Sequence, residues 1–185
     1  MCSLNIGYYV TFVILRILLC HYAVDPAVGS KHTSKRIMSG TMSDTTPDKT
    51  SGSYLLLLRF TLPAKVQVGK LGELSIQPGF YVYSGSAFGP GGIGARVGRH
   101  LRLHKKLRWH IDYLRQRVDD VVAYYQPDSR SECLFANELV IAGGEFPMKG
   151  FGSSDCKCES HLVYFNDLAP FTSFVADNGL KMFHV

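Results

Sequence analysis

The sequence predicts a single α/β domain of the α+β kind: a small, mainly antiparallel three-stranded sheet with an extra hairpin, flanked by helices. Three observations carry that expectation. With 185 residues the chain can bury one real core but hardly two. Three short apolar runs, Tyr54–Leu62, Phe80–Ala87 and Asp119–Gln126, have the length and the Val, Leu and Tyr content of strands. Between the second and the third lies a stretch whose apolar residues Ile93, Val97 and Leu101 recur every four positions, as the buried stripe of a helix requires.

The ordered elements begin near Gly52. "YLLLLRFTL" is apolar without alternation, the pattern of a central strand covered on both faces. "KVQVGKLGELSIQPG" reads as a hairpin, with Gly69 and Gly72 in its turn and Pro78-Gly79 closing it. In "FYVYSGSA" alternation sets Phe80, Val82 and Ser84 on one face and Tyr81, Tyr83 and Gly85 on the other. "GPGGIG" breaks the strand, and the helix after it carries Arg96 and His100 one turn apart, on a face other than its apolar stripe. "WHIDYLRQRV" predicts a second helix and "DDVVAYYQ" the third core strand. "SECLFANELVIAGG" predicts a helix capped by Ser131 and ended by Gly143-Gly144. "HLVYF" reads as a last strand. The domain is thus expected over residues 52–166, with residues 167–185 a tail of no clear period.

The N-terminal part differs from the rest. Ile6–Val24 is apolar enough for a signal peptide or anchor, but Arg16 and His21 interrupt it and no basic region precedes it. The Ser-, Thr-, Gly- and Lys-rich stretch that follows reads as linker. Residues 1–51 are therefore expected to be a disordered leader or an over-extended gene start, with Met38 or Met42 as the native beginning. A tethered or exported protein is the alternative.

The formal charge of +5 is unevenly spread. Between Gly94 and Arg117 stand eight Lys or Arg, with His100, His104 and His110, against the single acid Asp112. A solvated helix usually mixes its charges, so the run reads as a patch for phosphates, with Arg99, Arg102, Lys105 and Lys106 as nucleic-acid contacts. Cys2 and Cys20 lie in the leader, leaving Cys133, Cys156 and Cys158 as an odd set in the body. That excludes a disulfide framework as the natural reading and fits a reducing, cytoplasmic compartment. The short spacings of Cys156, Cys158 and His161, with Cys133 from elsewhere in the chain, allow two readings: a Cys3His zinc set, or buried structural thiols.

"GSYLLLL", "YVYSGSA" and "ARVGRH", in that order, resemble the GIY-YIG endonuclease superfamily. "VGKLGELSIQPGFYVYSGSA", "WHIDYL", "EC" and "GFGSSDCKCESHLVYF" resemble more closely a branch of small archaeal and bacterial proteins long known only as a domain of unknown function. The resemblance covers about Gly52 to Phe165. It implies that Tyr54 and Tyr83 are the two motif tyrosines and Arg96 the helix arginine. His100 would be the residue one turn on, and Glu132 the metal-binding carboxylate, with Glu138 of the same helix as runner-up. Ser53 and Ser84 occupy middle positions of the two motifs, where the superfamily usually has packing residues.

The implied activity is metal-dependent hydrolysis of DNA phosphodiester bonds. Such chemistry needs an activated water, neutralisation of charge on the phosphate and stabilisation of the leaving oxygen. Mg2+ or Mn2+ on Glu132 would act as Lewis acid, and the Arg96 guanidinium would grip non-bridging oxygens. Tyr54 would position or deprotonate water, Tyr83 hold the phosphate or the base, and His100 relay a proton. A phenol is a poor base at neutral pH unless a cation lowers its pKa; otherwise Tyr54 only orients. The alternative is a non-catalytic nucleic-acid-binding module on the same fold. A membrane-anchored regulator is a third reading that depends wholly on the leader.

Overall fold

The computed structural model describes residues 49–184. The leader, its apolar segment and the alternative starts at Met38 and Met42 lie outside the described residues. In chain order the elements are β1 (Gly52–Phe60), β2 (Ala64–Gln67), a 3-10 turn (Gly69–Leu71), β3 (Glu73–Ile76), β4 (Gly79–Ser86), α1 (Gly92–Leu101), α2 (His110–Arg115), β5 (Asp120–Pro127), α3 (Glu132–Ile141), β6 (Leu162–Phe165), α4 (Ala169–Asp177) and β7 (Lys181–Met182). No helix among the described residues is long and apolar enough to cross a membrane.

The fold is mixed α/β, with an antiparallel five-stranded sheet in the order β6-β4-β1-β5-β7 and the separate hairpin β2-β3. The three expected strands form its centre. β6 adds to one edge by pairing with β4, and β7 adds to the other by pairing with β5. The apolar run of β1 is explained by its central place, because alternate residues enter different cores. Tyr54, Leu56, Leu58 and Phe60 face α1, α2 and the hairpin, packing with Ile93, Val97, Ile111, Leu114 and Val68. Leu55 and Leu57 face the other way, onto Phe135 and Leu139 of α3 and Phe171 and Phe174 of α4. Fully burying side chains such as Ile93 and Val97 contributes roughly 1.5–3 kcal/mol each.

Two expectations change. Of residues 167–185, expected as a tail, the described ones, 167–184, pack into the domain. Pro170 stands in the first turn of α4, Phe171 and Phe174 seal the second core, and β7 hydrogen-bonds to the sheet. The stripe of α1 is also different. Ile93, Val97 and His100 are its buried residues beside Gly92, while Leu101 is only partly covered. A histidine therefore occupies a core-facing position, and a buried imidazole needs a polar partner.

Candidate functional site

The two tyrosine motifs lie on neighbouring strands, with Leu56 opposite Tyr83 and Tyr54 opposite Gly85. Pleating sends Tyr54 and Tyr83 towards α1 and their neighbours Ser53 and Ser84 towards α3. The serines hold the beginning of α3. Ser53 Oγ accepts the Ser131 N–H at 2.8 Å, donates to the Ser129 carbonyl at 2.8 Å and lies 3.3 Å from Glu132 Oε2. Ser84 Oγ donates to the Glu132 carbonyl at 2.8 Å. Ser131, the expected cap, makes no side-chain capping bond to its helix; its hydroxyl instead donates to Gln126 Oε1 at 3.2 Å. Both motif serines are thus polar anchors rather than simple packing residues.

This arrangement opens a cleft of about 380 Å³ whose lining includes Tyr54, Tyr83, Arg96 and Glu132. Gly85 lies on its floor, where the absent side chain makes room for the Tyr54 ring. His100 is not in the lining. It lies 1% exposed behind Tyr54, whose hydroxyl is 2.8 Å from its Nε2. Burial, the Lys105 charge and, more weakly, Arg96 and Arg99 push the His100 pKa down to about 3 against a weaker opposing pull from Asp112, so the ring is neutral at physiological pH. Its Nδ1 stands 3.9 Å from Asp112 Oδ1. Charge complementarity favours the proton on Nδ1, facing that carboxylate, leaving Nε2 to accept from Tyr54.

Both tyrosines are protonated at neutral pH. Burial, above all, raises Tyr54 well above the ordinary phenol value and takes Tyr83 to about 12, and the opposing pull of Arg96 is too weak to reverse it. Arg96 itself has no carboxylate within ion-pair distance among the described residues, and its guanidinium lies 4.5 Å from the Trp109 ring centre. Glu138, farther along α3, does not line the cleft.

The expected phosphate contacts divide into two pairs. Arg102 and Lys106 are exposed. Arg99 and Lys105 instead turn onto the buried Asp112. Arg99 reaches its two oxygens at 3.2 and 3.1 Å, and Lys105 Nζ is 2.9 Å from Oδ1. The Asp112 carboxylate also accepts the backbone N–H groups of Arg108 at 2.9 Å and Trp109 at 3.2 Å, fixing the start of α2. Burial alone would raise its pKa, but these donors together hold it down at about 2. Two of the eight cations are therefore already engaged inside the fold, sharing one carboxylate.

Cys133, Cys156, Cys158 and His161 converge, with ligand atoms all within 4.8 Å of one another, and this donor set suits a metal ion such as zinc. The group forms one wall of the cleft, since Cys133 follows Glu132 directly and Cys156 and His161 belong to the lining. The chain segment carrying it also brings Asp155 to the cleft and holds Gly152 N–H on His110 Nδ1 at 3.0 Å. Asp155 went unremarked in the sequence, although its place inside the cysteine block is a signal. The roles of Ser53 and Ser84 have no sequence signal, because they depend on where α3 begins.

Residues 53–183 match the family described as a domain of unknown function, DUF123, and the chain belongs to it. No curated protein and no solved structure matches the chain.

Proposed function

We propose that the chain is a metal-dependent endonuclease of the GIY-YIG type that hydrolyses DNA phosphodiester bonds. The observation that carries this reading is the meeting of Tyr54, Tyr83, Arg96 and Glu132 in one cleft, with His100 bonded to Tyr54 behind it. The four come from β1, β4, α1 and α3, far apart in sequence.

The donor chemistry fits a hard cation. Glu132 and Asp155 offer carboxylate oxygens to a cleft wide enough for water and phosphate, and Mg2+ is usually held by one or two carboxylates together with substrate oxygens. When bound there, Mg2+ or Mn2+ would supply Lewis-acid stabilisation of the phosphate and the leaving oxygen. The chain's own groups do the rest. Tyr54 stays protonated, donating its O–H hydrogen bond to His100 Nε2 and keeping its oxygen lone pairs for a water hydrogen, so it orients the nucleophile rather than deprotonating it. Tyr83, protonated, is a donor for a phosphate oxygen. Arg96, with no carboxylate ion pair among the described residues, grips two non-bridging oxygens. His110 accepts at Nδ1 from Gly152 and therefore has an N–H donor at Nε2. His100 acts on the substrate only through Tyr54. Arg102 and Lys106 add exposed charge beyond the cleft for the DNA backbone.

End-labelled single-stranded, duplex and branched DNA, incubated with the protein in Mg2+, in Mn2+ and in chelator, test the proposal. Metal-dependent cutting of at least one substrate is expected. Binding of all three without cutting in either metal would overturn it in favour of a non-catalytic binding module.

A further inference from the structure

The Cys133, Cys156, Cys158 and His161 cluster has geometry that ordinary buried thiols do not need. A tetrahedral zinc ion with Zn–S of about 2.3 Å and Zn–N of about 2.0–2.1 Å separates neighbouring sulfur and nitrogen ligands by about 3.6 Å. Here His161 Nε2 lies 3.6 Å from Cys133 Sγ and 3.4 Å from Cys156 Sγ. Hydrogen bonding alone is a poor account of this crowding. A neutral imidazole nitrogen has one lone pair, yet two sulfurs face it and a third stands within 4.8 Å.

We propose that these four residues bind one zinc ion as a closed structural site that fastens residues 152–161 to the first turn of α3. Four protein ligands fill a tetrahedron and leave no open position, which separates the site from a catalytic zinc. The fastened segment has no helix or strand of its own. It is held at one end by buried Phe151, whose ring packs on Tyr83 and His110, and by Gly152 N–H on His110. At the other end, His161 N–H donates to the Phe151 carbonyl at 2.7 Å, and the His161 carbonyl accepts from Ser84 N–H at 2.9 Å. Between these ends the Glu159 carbonyl accepts from Gly150 N–H at 2.7 Å, and the zinc ligands tie the segment to α3. Cys133 adjoins Glu132, so the same ion steadies the turn that presents Glu132 and the segment that presents Asp155.

This inference is independent of DNA cleavage, and its test reads metal content and stability. The full chain is purified without added metal, its zinc is measured by elemental analysis, and it is also expressed with cobalt in place of zinc. About one zinc per chain is expected, with the visible absorption of tetrahedral thiolate-bound cobalt. Cys158→Ser should bind zinc at least tenfold more weakly, whereas Glu132→Gln should retain it in full. Should Cys158→Ser fail to fold, the wild-type chain answers alone: a strong chelator should lower its melting temperature on the order of 10 °C, restored by zinc and not by magnesium. Below about a tenth of a zinc per chain with no cobalt absorption, or with two of the cysteines joined in a disulfide, the proposal fails. A zinc-loaded chain that never cuts DNA would refute the nuclease reading and leave this one standing.

Discussion

Replacing Asp112 by alanine removes the centre of a buried charge network. Its carboxylate is wholly buried and receives two bonds from Arg99, one contact from Lys105 and two backbone N–H groups. The variant would leave Arg99 with 17% and Lys105 with 7% of their side chains exposed, and neither would keep its counter-charge. Breaking a buried pair from one side costs about 3–5 kcal/mol. Arg99 can reach water in part and still has the Trp109 ring, so the lower end, about 3 kcal/mol, is expected. Chemical denaturation at pH 7 would read this directly, and the melting temperature should fall on the order of 10 °C. The pH dependence gives a second readout. An aspartate held at about 2, below its unfolded value near 3.9, stabilises the fold fully above about pH 4 and loses that contribution as pH falls through 2. The gap between wild type and variant should therefore narrow between about pH 4 and 2. Asp119, an exposed carboxylate bonded to Thr61, is the control, and its alanine variant should lose less than about 1 kcal/mol. A loss for Asp112→Ala no larger than that of the control, or a gap unchanged down to pH 2, would refute the reasoning.

Neutralising Arg102 or Lys106 should weaken DNA binding on all sequences and reduce the salt dependence by about one unit of slope each, as measured by binding titrations at several salt concentrations. Neutralising Arg99 or Lys105 should instead appear first as lost thermal stability. Gly152→Ala should destabilise the segment beside the cleft, because φ is +73° there and a Cβ would come 2.7 Å from the Tyr83 ring. Unfolding curves of the two proteins check it, and an unchanged midpoint would contradict the packing described.

Strands β1, β4 and β5 and helices α1 and α3 were legible because each carries a local signal: an unbroken apolar run, an alternation, a stripe or a terminal glycine. The last helix and strand were not. Phe171, Phe174 and Val175 have helical spacing, but their purpose appears only once the second face of the sheet needs a cover. The four-residue spacing of Ile93, Val97 and Leu101 leaves His100 off the stripe; its burial makes sense only beside the Tyr54 hydroxyl and Asp112. The basic run showed eight cations around one acid, and nothing in the order of residues tells which two would fold back onto it. The short spacing of Cys156, Cys158 and His161 was visible, while the convergence of Cys133 from α3 required the fold. Likewise the candidate cleft residues were named from motifs, and only the strand register shows why a serine accompanies each tyrosine.

The central claim is that the cleft around Glu132 performs chemistry rather than binding alone. The most direct measurement compares wild type with Glu132→Gln under single-turnover conditions in Mg2+, with the dissociation constant for DNA measured in parallel. The glutamine keeps the size of the side chain, and the Ser84 bond goes to the backbone carbonyl at that position, so the start of α3 should persist. The account expects the cleavage rate to fall at least a hundredfold while affinity changes less than threefold. Wild-type cleavage by Glu132→Gln would contradict it.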